Sequence, residues 1–259
     1  MSKIAYSTQG LIHVIDLENN QTQTYTQGKG MWNPSWSPDG KYIAYGWGVV
    51  NILELATGKI TELAPGAAFP AFHPDGSTLI YNVNGEGLFA HHLPTGQITR
   101  ILDNTLQPFQ ATWHPSGEMI AFVGQVGNDR HIFTLDLACL DDDSCAEAAV
   151  QITQNGRFNH APAWSPDGQR IAFERMDFAT GKWHIMVIDA DGSNERQISP
   201  DDVSDHHPTW SADGQQLVVE RETNQPGLRA NLYLIDLKGN TIRQLTTTGG
   251  TEPEWWSAN

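Results

Sequence analysis

Apolar and polar residues alternate along this chain in short runs broken by Pro, Asn, Asp and Gly, a pattern that predicts many short strands. The pattern also repeats. Pro34-Ser35-Trp36-Ser37-Pro38-Asp39-Gly40 leads into Lys41–Tyr45, and the phrase returns from Pro70, Ala111, Pro162 and Pro208, with a truncated copy from Pro253. Its aromatic anchors are Trp36, Phe72, Trp113, Trp164, Trp210 and Trp255, spaced 36, 41, 51, 46 and 45 residues apart. Each copy predicts four strands. The anchor strand comes first, followed by a tight turn with Pro, Asp and Gly at the positions turn geometry favours. The second strand alternates, with Ile43, Leu79, Ile120, Ile171, Leu217 and Ile4 at one matching position. The third includes Ile12–Leu17, Val50–Leu55, His131–Leu137, His184–Asp189 and Leu232–Leu237, and the fourth is clearest at Ile60–Leu63 and Ile242–Leu245.

The copy at Pro253 stops where its second strand should begin, and the chain start supplies that half. Ser2–Tyr6 aligns with Lys41–Tyr45, and counting from Trp255 through the C-terminus and on to Trp36 gives 40 residues. The expectation is an all-β, six-bladed β-propeller of four-stranded antiparallel blades, forming a single domain over residues 1–259. One C-terminal strand around Glu252–Trp256 would join three N-terminal strands within Lys3–Thr26. A lone four-stranded sheet cannot cover both faces, whereas ring closure covers every face and hides the strand edges at the seam.

Charge narrows the partners. Lys+Arg 15 against Asp+Glu 30 leaves a net charge of −15, and no Lys or Arg cluster forms the basic stripe that nucleic acid needs. Nucleic acid and anionic membranes are disfavoured for the same reason. No apolar run approaches the roughly 20 residues of a spanning helix. Met1–Thr8 lacks the apolar stretch of a secretory signal.

Trp-Ser-Pro-Asp-Gly followed by a hydrophobic strand, together with Ile188–Ile198, resembles the repeat of TolB-type propellers, and the resemblance covers essentially the whole chain. It implies a stand-alone, monomeric scaffold that binds a protein or peptide in the periplasm or another extracytoplasmic space. Related repeats occur in prolyl-oligopeptidase-like peptidases and in oligogalacturonate lyases. The separate N-terminal α/β domain of TolB has no counterpart here, and neither has the G-x-S-x-G elbow of the peptidases. A fold does not fix an activity, so the reading leans toward a non-enzyme.

Propeller faces meet their neighbours, so the Trp anchors read as inter-blade packing. Asp39, Asp75, Asp167 and Asp213 read as turn residues, and His73 and His114 as replacements of a turn Ser. The candidate site lies where the links entering each first strand approach the channel mouth. These positions read Trp32-Asn33, Ala68-Phe69, Phe109-Gln110, His160-Ala161, His206-His207 and Thr251-Glu252. One half is apolar and aromatic; the other holds His160, His206, His207 and Glu252. Those four side chains are candidate ligands for a divalent metal, since imidazole and carboxylate suit zinc, nickel, copper or manganese. Oligogalacturonate lyases use a His-rich metal site, and a metal-dependent lyase or hydrolase of acidic saccharides is the alternative reading. No metal motif of strong spacing supports it, and the cofactor expectation is none.

The longest second-to-third-strand links, Met176–Lys182 and Glu222–Ala230, stand beside that His cluster. Arg175 and Arg221 open them, each after a Glu. They would form inter-blade ion pairs or, functionally, clamp a carboxylate or acidic peptide. The two cysteines, Cys139 and Cys145, flank Asp141–Ser144 on the opposite face. A disulfide would staple this insertion and imply an oxidising compartment. The Asp run lacks the spacing of an EF-hand and reads as a solvated loop.

Overall fold

The computed structural model describes residues 2–26, 28, 30–141 and 145–258, and the Asp142–Ser144 part of the acidic run lies outside the described residues. The chain is an all-β propeller built from four-stranded antiparallel blades. β1 (Ser2–Thr8), β2 (Leu11–Asp16) and β3 (Thr22–Tyr25) form a meander. β4 (Ser35–Trp36), β5 (Tyr42–Tyr45), β6 (Trp47–Glu54), β7 (Ile60–Phe72), β8 (Thr78–Val83), β9 (Gly87–His92) and β10 (Gln97–Leu102) follow in one seven-stranded sheet.

Three further sheets have four strands each. The first contains β11 (Phe109–Trp113), β12 (Met119–Val126), β13 (Asp129–Asp136) and β14 (Val150–Gln151). The second contains β15 (Asn159–Trp164), β16 (Arg170–Asp177), β17 (Lys182–Asp189) and β18 (Arg196–Gln197). The third contains β19 (Asp205–Trp210), β20 (Gln216–Glu222), β21 (Ala230–Asp236) and β22 (Thr241–Gln244). Finally, β23 (Thr251–Ser257) returns to pair with β1, Trp255 opposite Ile4 and Ser257 opposite Ser2.

The seven-stranded sheet departs from the expected separation into units of four. β7 is 13 residues long and serves twice: Ile60–Ala68 pairs with β6 and Ala67–Phe72 with β8, so Ala68 has a partner on each side. Pro65 and Gly66 lie inside β7, Gly66 at a left-handed φ of 75°, and the last strand of one unit runs into the first strand of the next without a break in the strand.

The second strands show why the sheets stack. Successive side chains of a strand point to opposite faces. Ile43 and Tyr45 enter one buried cluster while Ala44 enters the next. Ile171 and Phe173 divide from Ala172 in the same way, as do Leu217 and Val219 from Val218. Between successive units the indole nitrogens of Trp36, Trp113 and Trp210 donate to the backbone carbonyls of Glu254, Ala71 and Ala163. The turn Asp residues bond their own turns: Ser37, Ser165 and Ser211 hydroxyls donate to Asp39, Asp167 and Asp213. His73 and His114 reach the carbonyls of Gly117 and Gly168 and meet Trp113 and Trp164 edge-on.

On that same face, Cys139 and Cys145 are joined by a disulfide that closes a 3-10 turn (Leu137–Asp141) onto α1 (Cys145–Ala148). Among the described residues no helix is long and apolar enough to cross a membrane.

Candidate functional site

The first strands converge on a central channel. Its chamber at the mouth, about 140 Å³, is lined by Asn33, Phe69, Gln110, Ala161, His207 and Glu252, and a second chamber of about 360 Å³ lies below, beside the Trp anchors. Those six mouth residues share a backbone state that the sequence does not announce. Each has a left-handed φ between 45° and 53°. A non-glycine residue held there costs of order 1–3 kcal/mol and persists only where its surroundings over-determine it. Pro34, Pro70, Pro162, Pro208 and Pro253 follow five of the six, and proline, lacking a ladder donor, is confined in sheets to edges and bulges. The pairing registers of β7, β11, β15, β19 and β23 slip at these points.

The turned-out amides find acceptors from the preceding unit. The N–H of Asn33 donates to Glu252 Oε2 (2.7 Å), and that of Ala161 to Gln110 Oε1 (3.0 Å). The His207 N–H donates to Glu174 Oε2 (2.9 Å), and the Glu252 N–H to Glu220 Oε2 (3.1 Å). Polar side chains at the mouth are therefore stitches between blades.

The imidazoles are drawn into the same network. His207 Nδ1 lies 3.0 Å from Glu220, whose side chain is fully buried, and His206 lies 3.4 Å from Glu174 and 3.1 Å from Glu222. Burial works against a charged His207, but Glu174, Glu220 and Glu252 outweigh it and raise its pKa to about 10. Burial likewise opposes the Glu174 carboxylate, yet His207 and His206 hold it down at about 2. His160 has the opposite fate: desolvation lowers it to about 4, so it is a neutral aromatic ring. It lies between Phe109 (5.5 Å) and Trp183 (5.2 Å). Deeper in, Glu254 faces the channel and desolvation raises its pKa to about 8.

An aromatic crescent thus follows the mouth. Trp47 meets Phe69 edge-on at 4.9 Å, and Phe69 leads to Phe109, His160, Trp183 and His206. Trp47 is 65% exposed.

The family model described as TolB beta propeller domain matches residues 2–255. The chain belongs to this TolB propeller family. An uncharacterized protein of Agrobacterium fabrum is 29% identical over 178 residues, covering 64% of this chain and 57% of that protein. The crystal structure of TolB from Acinetobacter baumannii superposes with a TM-score of 0.79 at 22% identity, covering 98% of this chain and 66% of that one. An oligogalacturonate lyase in complex with manganese gives 0.62 at 18% identity, covering 90% of this chain and 70% of that one. At such identities the two structures show the fold alone. The chain spans less than two thirds of the A. fabrum relative and of the A. baumannii TolB.

Within this TolB-type propeller the candidate residues divide. Phe69, Phe109, His160 and His206 come together in the crescent. Trp32 does not join it; its half-buried ring lies beside the Gly10 turn. Arg175 and Arg221 make ion pairs, each within its own blade and not between blades. Arg175 is held by Glu195 (2.6 Å) and Asn159, and Arg221 by both oxygens of the fully buried Asp205 (2.6 and 2.8 Å). Each guanidinium also stands over a ring of its own blade, Arg175 over Phe173 (5.2 Å) and Arg221 over Tyr233 (4.9 Å). The Met176–Lys182 link is also shorter than expected, since β16 and β17 extend to Asp177 and Lys182. His160, His206, His207 and Glu252 are committed to neighbouring rings, carboxylates and amides, and among the described residues no group of three or more His, Cys, Asp or Glu is arranged to hold a metal.

Sequence reasoning missed Trp47, Trp183 and the acceptor roles of Glu174 and Glu220. The recurring Pro before the anchors was the available signal for the bulges.

Proposed function

We propose that this chain is a non-catalytic scaffold whose channel mouth binds a protein or peptide segment. The aromatic crescent carries the reading: a rigid arc of rings on a ring of bulges offers large contact area at little cost in side-chain entropy, as protein-binding surfaces do. We infer six blades within one domain. The six left-handed mouth residues and the six buried clusters between successive units support that count, with β7 shared by two blades. The binding needs no metal, because the mouth carboxylates and imidazoles already neutralise one another. The disulfide and the TolB kinship support an extracytoplasmic location.

The test is selection of peptides from a displayed library on the purified protein. Binders should lose about tenfold or more of their affinity to the Phe109→Ala and His160→Ala variants. Failure to obtain any binder, or binders indifferent to both changes, would refute the assignment.

A further inference from the structure

Beside the mouth, off the channel axis, a cleft of about 690 Å³ opens between the β6–β7 and β8–β9 segments and the loop before β11. Its size falls in the range of small-molecule sites, roughly 300–1,000 Å³. We propose that it is a binding site for a short neutral oligosaccharide, with one pyranose ring lying on the Trp47 indole.

The chemistry of the lining favours this class of ligand. The Trp47 ring is largely exposed, and Phe69 meets it edge-on at 4.9 Å. Facing it are side-chain amides, Asn82, Asn104 and Gln107 among them, which both donate and accept and so match a ring of hydroxyls. The Asn82 Oδ1 is buried and has no hydrogen-bond partner among the described residues. Val83 is the only branched aliphatic side chain in the lining, which is poor provision for the leucines or valines of a docked peptide.

Charge points the same way. The whole chain carries −15, yet the cleft holds one acid, Glu86, and one base, Arg130. Arg130 lies 4.7 Å over the Phe109 ring and makes no ion pair among the described residues, leaving its N–H groups for hydroxyl oxygens. A balanced, amide-rich cleft suits an uncharged ligand. The cleft shares Trp47, Phe69 and Phe109 with the crescent, so it is told apart from the mouth by its amide side and by the kind of ligand that needs Trp47.

Calorimetric titration of the intact protein with cellotriose, chitotriose and trigalacturonate tests it. At least one neutral trisaccharide should bind with a Kd of about 0.1–1 mM. Trp47→Ala should weaken that binding about tenfold or more and Asn104→Ala by a smaller factor, while Ile98→Ser on the outer edge strand leaves it unchanged. Binding by neither neutral sugar, preference for trigalacturonate, or indifference to Trp47→Ala would each overturn the proposal. Peptides that require Trp47 and cannot be displaced by either neutral sugar would overturn it too, and would leave the mouth assignment standing.

Discussion

Removing the Glu174 carboxylate should disrupt the mouth more than any other single change there. The side chain is nearly inaccessible, accepts the His207 amide and faces His206 at 3.4 Å and His160 at 3.9 Å. Glu174→Ala leaves two imidazole groups without their shared counter-charge, and breaking a buried charge pair on one side costs about 3–5 kcal/mol. The variant also orphans an N–H whose left-handed backbone cannot turn back into the ladder. Glu174→Gln keeps an acceptor for that amide and loses only the charge, so its cost should be smaller, about 1–3 kcal/mol. Urea denaturation at pH 7 reads both numbers, with melting temperatures falling by roughly 2–4 °C for each kcal/mol in a chain of this size. Raising the pH should shrink the Ala penalty, because neutral imidazoles no longer need the carboxylate. An Ala variant within about 0.5 kcal/mol of the parent would refute the claim that this carboxylate holds the bulges in place.

Three further outcomes follow from the same contacts. Stability should be highest between pH 4.5 and 6.5. Glu174, lowered from 4.5 to about 2, contributes fully above 4.5 and loses its contribution as pH falls; His207, raised from 6.5 to about 10, contributes fully below 6.5 and loses it as pH rises through 10. Between those limits neutral His160 gains as pH rises while Glu254, raised to about 8, loses, so Glu254→Gln should reduce the decline from pH 6.5 to 8. Stability still rising at pH 8 would count against these assignments. Trp210→Phe should cost about 1–2 kcal/mol more than Trp164→Phe in matched thermal melts, because the Trp210 indole donates to Ala163 whereas the buried Trp164 indole N–H has no partner among the described residues; equal losses would contradict it. Reducing the Cys139–Cys145 bridge, with a sequence separation of 6, should lower stability by about 2 kcal/mol or less and leave peptide binding at the opposite face unchanged.

The repeat and its closure were legible because packing between blades imposes a strict residue pattern. Trp255 pairs with Ile4 because the large–small–large second strand has to be filled from both sides wherever the chain happens to be cut. The mouth was legible only in outline. Phe69, Phe109 and His160 were visible as a column of residues before the anchors, but the carboxylates that meet the imidazoles, Glu174, Glu220 and Glu222, stand on second strands 13 to 33 residues away along the chain from His206 and His207. Arg175 and Arg221 looked available because Asp205 and Glu195 lie 16 and 20 residues away along the chain. Trp47 and Trp183 belong to third strands, where nothing in the alternation separates a ring that packs from one that lines a mouth.

Hydrogen–deuterium exchange of the protein with a selected peptide bound tests the central claim most directly. Protection is expected at 67–69, 107–110, 158–161 and 204–207, the segments that carry the crescent. Protection instead at the turns 37–40, 74–77 and 165–168 on the opposite face would contradict it.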